Sequence, residues 1–165
     1  FNGKEVIEAS EMIGKIKAAC DARRNEGTII MARTDAAAIH GFDAAVERAQ
    51  AYAEAGADLL FVEAVTSAEH IAALPQRLKT PQLMNMVIGG KTPITSTEEL
   101  AKMGYGIVLY ANAALQGAVA GMQRALGVLK NEGHIQEDPN LVAPFAERQR
   151  LVNKPIWDAL EKKYQ

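Results

Sequence analysis

A single cysteine in 165 residues excludes an internal disulfide and any thiolate metal cluster. Cys20 lies at helical spacing with Ala9, Ile13 and Ile16, reads as a small buried hydrophobe, and fits a reducing, cytoplasmic setting. Excess charge is lacking as well: 18 basic residues against 20 acidic ones leave a formal net charge of −2. Without a basic patch, neither nucleic acid nor an anionic membrane surface is an expected partner. No apolar run approaches the roughly 18 residues that a membrane span needs. The three histidines, His40, His70 and His134, show no ligand spacing; each reads as solvated, and no metal site is visible. Phe1 opens the chain without an initiator methionine or a signal-like leader, so a processed or truncated product is expected.

What the chain does have is enough apolar residues, 48%, for one domain with a real core. Four short apolar runs each stop at a polar residue: Met31-Ala32-Arg33, Phe61-Val62-Glu63, Leu83-Met84-Asn85 and Val108-Leu109-Tyr110. Continuous apolar runs are the mark of strands buried on both faces. A helical pattern follows each run, and repeated strand–helix alternation predicts a parallel sheet with right-handed crossovers. A first helical stripe occupies 8–25, before Gly27. Asp43 is the expected cap of the next helix, whose apolar face holds Ala45, Ala49, Tyr52 and Ala53 and which ends at Gly56. Thr66 or Ser67 starts a shorter helix with Ile71, Leu74 and Leu78. Ser96 and Glu99 make a capping box for a helix ending at Gly104, and a long helix runs from Ala113 to Glu132 before Gly133.

A complete eight-unit barrel needs about 250 residues, so four units leave two architectures open, a small open α/β sheet or half of a barrel. The tail, 134–165, departs from the repeat. Its Phe145, Leu151, Ile156, Trp157 and Leu160 are apolar anchors for docking on another part of the protein or on a neighbouring subunit.

In a closed parallel barrel the carboxyl ends of the strands converge on one face, where the polar strand ends would meet. The guanidinium of Arg33 is a planar fork suited to a carboxylate or phosphate; equally, Arg33 and Asp35 could only neutralise each other. Glu63 occupies the matching position of the next strand, with Arg33 as its natural partner. Asn85 could offer its amide to a substrate oxygen, or act as a turn residue. The Gly89-Gly90 segment lacks the pattern of a phosphate-cradling loop and reads as mobile.

Met31-Ala32-Arg33-Thr34-Asp35-Ala36, Gly41 to Ala49 and Tyr52 to Asp58 together resemble the isocitrate lyase/phosphoenolpyruvate mutase superfamily. Phe61 to Ala64, Asn85-Met86, Gly90-Lys91-Thr92-Pro93 and Glu99-Leu100 continue the resemblance. It implies an α/β fold, a (β/α)8 TIM barrel of which this chain carries strands five to eight through residue 133, with 134–165 as a helical tail. It also implies a homo-oligomer, dimer or tetramer, with an exchanged C-terminal helix. Phe1-Asn2-Gly3-Lys4 resemble the stretch that follows the family's mobile catalytic loop, so that loop and the ligands of the family's Mg2+ are expected upstream. Cys20 does not match the catalytic cysteine. The family's chemistry passes through an enolate of an α-oxo acid. By resemblance Arg33 clamps a substrate carboxylate, Glu63 orients it or another polar group, Asn85 binds the second carboxylate, and Met86 and Val87 border the pocket. Gln116 stands where methylisocitrate-cleaving members carry an arginine, and an amide does not replace a charge-assisted clamp worth about 1.5–3 kcal/mol. The expected activity is therefore carbon–carbon cleavage of a small 2-hydroxy dicarboxylate of the alkylmalate type. The alternatives are oxaloacetate decarboxylase or hydrolase chemistry, methylisocitrate cleavage, or a non-catalytic fragment that binds anions or drives oligomerisation.

Overall fold

The computed structural model describes residues 3–165, so Phe1 and Asn2, part of the expected post-loop stretch, lie outside the described residues. The chain forms two compact units, 1–112 and 113–165. In the first unit α1 (Ala9–Ala22) leads to β1 (Met31–Thr34). A short α2 (Ala37–His40) and α3 (Phe42–Glu54) connect to β2 (Leu59–Val62). Then α4 (Ala68–Arg77) precedes β3 (Leu83–Asn85), and α5 (Thr97–Met103) precedes β4 (Ile107–Leu109). Strand β1 pairs parallel with β2, Met31 opposite Leu59, and β3 with β4, Leu83 opposite Ile107. A single parallel bridge from Leu60 to Gln82 joins the two pairs, giving the order β1-β2-β3-β4.

Local chemistry explains most of the boundaries. The Ser67 hydroxyl accepts from the His70 N–H, and Ser96 with Glu99 forms the reciprocal capping box. Gly56 turns the chain at φ +111°, and a Cβ there would come 3.0 Å from the Cys20 sulfur. That sulfur donates to the Gly56 carbonyl at 3.3 Å, in keeping with a small, partly buried side chain. Two expectations need correction. Asp43 is not a cap: Gly41 caps α3 at φ +89°, a backbone that glycine alone adopts without strain, while Asp43 in the first turn pairs with Arg77. The short α2 that forces this turn is too brief to show periodicity. His70 is not simply solvated, because it stacks on Phe42 with ring centroids 4.0 Å apart.

The two-residue period of a strand sorts side chains onto two faces. Ala32, Leu60, Val62, Met84 and Met86 face the helices and share one core with Ala49, Tyr52, Ile71, Leu74 and Leu100. Within this core the Tyr105 hydroxyl donates to the Ile71 carbonyl at 2.8 Å, and burial pushes its pKa well up. On the opposite face Leu59, Phe61 and Leu83 form a small cluster of their own, while Met31, Ile107 and Leu109 are exposed.

The second unit comprises α6 (Ala113–Glu132), α7 (Phe145–Leu151) and α8 (Lys154–Tyr164). Leu115, Val119, Met122, Leu126 and Leu129 of α6 are exposed, as are Phe145, Leu151, Ile156 and Trp157 of the tail. Among the described residues no helix is long and apolar enough to cross a membrane.

Candidate active site

The polar ends of the first three strands share the face opposite the helices. Arg33 lies on the same side of β1 as Met31, and its guanidinium rests over the Phe61 ring, 4.8 Å from the centroid. Phe61 is its register partner on β2, so the cation–π contact follows directly from the parallel pairing. The Glu63 N–H donates to the Thr34 carbonyl at 2.9 Å, which extends this pairing one residue and carries Glu63 to the strand end. Arg33 Nη2 lies 3.3 Å from Glu63 Oε2, and Asn85 Nδ2 is 3.5 Å from the same oxygen. Arg33, Glu63 and Asn85 therefore stand together, as their strand-end positions suggest. Just beyond Glu63, Ala64 takes φ +63°, a left-handed backbone costly for a residue with a Cβ.

The centre of this wall is Asp35. Its Oδ1 accepts from Arg33 Nε at 2.7 Å and its Oδ2 from Arg33 Nη2 at 3.2 Å, a two-pronged pair. Lys4 Nζ adds a second cation, 2.6 Å from Oδ2. Sequence reasoning placed Asp35 only as a possible neutraliser of Arg33 and gave Lys4 no role. The two-residue spacing of Arg33 and Asp35 was the available signal for the first; Lys4 comes from 31 positions away and had none. The Asn85 Oδ1 is buried and lacks a hydrogen-bond partner among the described residues, so the wall retains one unsatisfied acceptor.

Met86 is fully buried in the helix-facing core, so its side chain does not border the wall; alternation along the strand sends Asn85 and Met86 to opposite faces. Val87 is half-buried, and its carbonyl accepts from the Gly90 N–H at 2.9 Å, turning the chain into the glycine segment. Gln116 belongs to α6 of the second unit. The Tyr110 hydroxyl lies 3.5 Å from that of Thr97. On the same rim a cavity of about 560 Å³ is lined by Lys4, Ala37, Ala38, Ala64, Thr66 and Lys91.

The donors present do not suit a magnesium ion. Among the described residues no group of three or more His, Cys, Asp or Glu is placed to hold a metal. Asp35 is already held by Arg33 and Lys4, and Glu63 by Arg33 and Asn85.

Electrostatics follow the pairing. The Arg33 hydrogen bonds, aided by Lys4, hold the Asp35 carboxyl below its usual value against a smaller opposing effect of burial. Arg33 is raised in turn, chiefly by Asp35. A depressed carboxylate stabilises the fold at pH values above the unfolded pKa, and that contribution is lost as pH falls through the folded value. Stability should thus hold near neutrality and decline below about pH 4, the ordinary Asp range. In Asp35→Asn, urea denaturation between pH 4 and pH 2 should show a shallower decline than in the parent; an unchanged slope would show that Asp35 gains nothing from its partners.

Residues 1–129 match the family model described as phosphoenolpyruvate phosphomutase. The chain belongs to this family, within the phosphoenolpyruvate mutase/isocitrate lyase superfamily. It is 42% identical to the 2,3-dimethylmalate lyase of Eubacterium barkeri over 98% of its own length and 56% of that protein's. To the 2-methylisocitrate lyase of Shewanella oneidensis it is 41% identical, over 79% of this chain and 45% of that protein. Among solved structures, a trigonal crystal form of 2,3-dimethylmalate lyase matches with a TM-score of 0.85 and 34% identity, covering 98% of this chain and 55% of that one. Oxaloacetate acetylhydrolase in complex with 3,3-difluorooxalacetate matches at 0.84 and 29%, covering 99% and 55%. This phosphomutase-family chain thus spans about half the length of the curated relatives it matches.

Proposed function

We propose that the complete protein is a carbon–carbon lyase acting on a small 2-hydroxy dicarboxylate of the alkylmalate type, and that this chain supplies its carboxylate-binding wall. The observation that carries the reading is Arg33: a guanidinium, 47% exposed, held at a strand end by Asp35 and Glu63 and backed by Phe61. A fixed cation of this kind binds and orients a substrate carboxylate at little entropic cost. Asn85 and Glu63 then orient the polar groups beside it. Gln116, an amide where a tricarboxylate-cleaving relative would need a further cation, favours a substrate with two carboxylates.

The barrel belongs to the same reading. Parallel sheets are normally covered on both faces, and here Met31, Ile107 and Leu109 leave the inner face open. We assign the four strands to positions five to eight of a (β/α)8 barrel, α6 to its last helix, and the magnesium ligands to residues outside this chain. The exposed apolar stripe of α6 supports exchange of that helix in a homo-oligomer.

The rival is cleavage or decarboxylation of oxaloacetate, favoured by the likeness to oxaloacetate acetylhydrolase. Turnover by the complete protein of 2,3-dimethylmalate, methylisocitrate and oxaloacetate separates them. We expect the highest kcat/KM on 2,3-dimethylmalate, loss of activity with a chelator, and recovery with magnesium. A much higher kcat/KM on methylisocitrate would overturn the argument from Gln116; one on oxaloacetate would favour the rival.

A further inference from the structure

We infer that Lys4 and Asp35 are positioning residues that orient the Arg33 guanidinium and leave its Nη1 as the donor for a substrate carboxylate; this rests on the carboxylate-binding reading above. A guanidinium has five N–H donors in a rigid plane, so fixing one edge fixes the direction of the others. Asp35 takes the Nε–Nη2 edge at 2.7 and 3.2 Å, and Glu63 shares Nη2 at 3.3 Å. The Phe61 ring holds the plane from one face. Among the described residues Nη1 alone of the three nitrogens has no partner.

Asp35 needs a fixed orientation of its own to do this, and Lys4 supplies it through Oδ2 at 2.6 Å. The segment that bears Lys4 is itself held three residues later, where the Ile7 carbonyl accepts from Arg48 Nη1 of α3 at 2.7 Å. The segment carrying Lys4 is thus anchored on α3, and the Lys4 ammonium on Asp35. The chain of contacts runs from the segment before α1, through Asp35, to the side chain that meets the substrate. Neither Lys4 nor Asp35 needs to touch the substrate for this.

The test uses the complete protein with Lys4→Met, Lys4→Arg and Asp35→Asn. Two readouts are taken: kcat and KM on 2,3-dimethylmalate, and the rate at which phenylglyoxal modifies Arg33, followed by peptide mass spectrometry. Asp35→Asn should raise KM by about 10- to 100-fold and speed the modification of Arg33. Lys4→Met should raise KM by about two- to fivefold, the scale of a partly exposed ion pair, and speed the modification less. In Lys4→Met kcat should stay within about twofold of the parent, since the loss is one of binding, and Lys4→Arg should restore both readouts. Parent-like KM and modification rates in Lys4→Met and Asp35→Asn would overturn the proposal. If the parent turns over no 2-hydroxy dicarboxylate, the functional reading fails, and the Arg33 modification rates still decide whether Lys4 and Asp35 position it.

Discussion

Arg33→Ala in the complete protein is expected to lower kcat/KM on a 2-hydroxy dicarboxylate by about 100-fold or more. The loss has two physical sources. The substrate carboxylate loses its charge-assisted donor, and the Asp35 and Glu63 side chains, only 21% and 18% exposed, lose the cation they share. Most of the effect should appear in KM if Arg33 binds ground and transition states alike, and in kcat if its contact tightens as charge develops. Arg33→Lys should recover little. An ammonium cannot make the two-pronged bond to Asp35 and still present a directed donor outward. Steady-state kinetics of the two variants against the parent checks this; an Arg33→Ala enzyme within about fivefold of the parent would reduce Arg33 to a mere ion-pair partner.

Leu60→Ala should be the most damaging single truncation of the core, costing about 3–4 kcal/mol within the 2–5 kcal/mol range of such changes. Leu60 has no exposed surface, sits opposite Ala32 on β1 and bridges to Gln82 just before β3. It therefore packs at the seam between the two strand pairs, on the helix-facing side. Removing its branched end leaves a cavity that Ile71 and Leu74 of a packed helix cannot follow inward without cost. Urea denaturation, read as a fall in midpoint with an unchanged slope, measures it. A loss under about 1 kcal/mol would mean that the seam collapses around the smaller residue.

The reading of local structure from sequence succeeded where a physical signal was short-range. Ser96 with Glu99, a helix start at Thr66 or Ser67, and the glycines at 56 and 104 are contacts or conformations set within a few residues, so spacing exposes them. The structure alone selects Ser67 as the cap. Asp43 misled for the converse reason. It has the right chemistry for a cap, but Gly41, needed at φ +89° to leave α2, occupies that position first. Met86 misled because the resemblance marked a stretch of chain, whereas strand alternation assigns each residue of it to a face.

The amino-acid sequence by itself determined the alternation of four strands with helices, the polar residue at each strand end and, through its motifs, the family. Those depend on periodicity and on residue types along the chain. Of the four strands expected to be buried on both faces, β1 and β4 are not, since Met31 of β1 and Ile107 and Leu109 of β4 are exposed. Only the tertiary structure decided that Asp35, not Glu63, is the chief partner of Arg33, that Lys4 completes the pair from 31 residues away, and that the inner face of the sheet stands open. Ion pairs between distant segments and the coverage of a sheet face depend on where backbones meet in space, which spacing along the chain does not record.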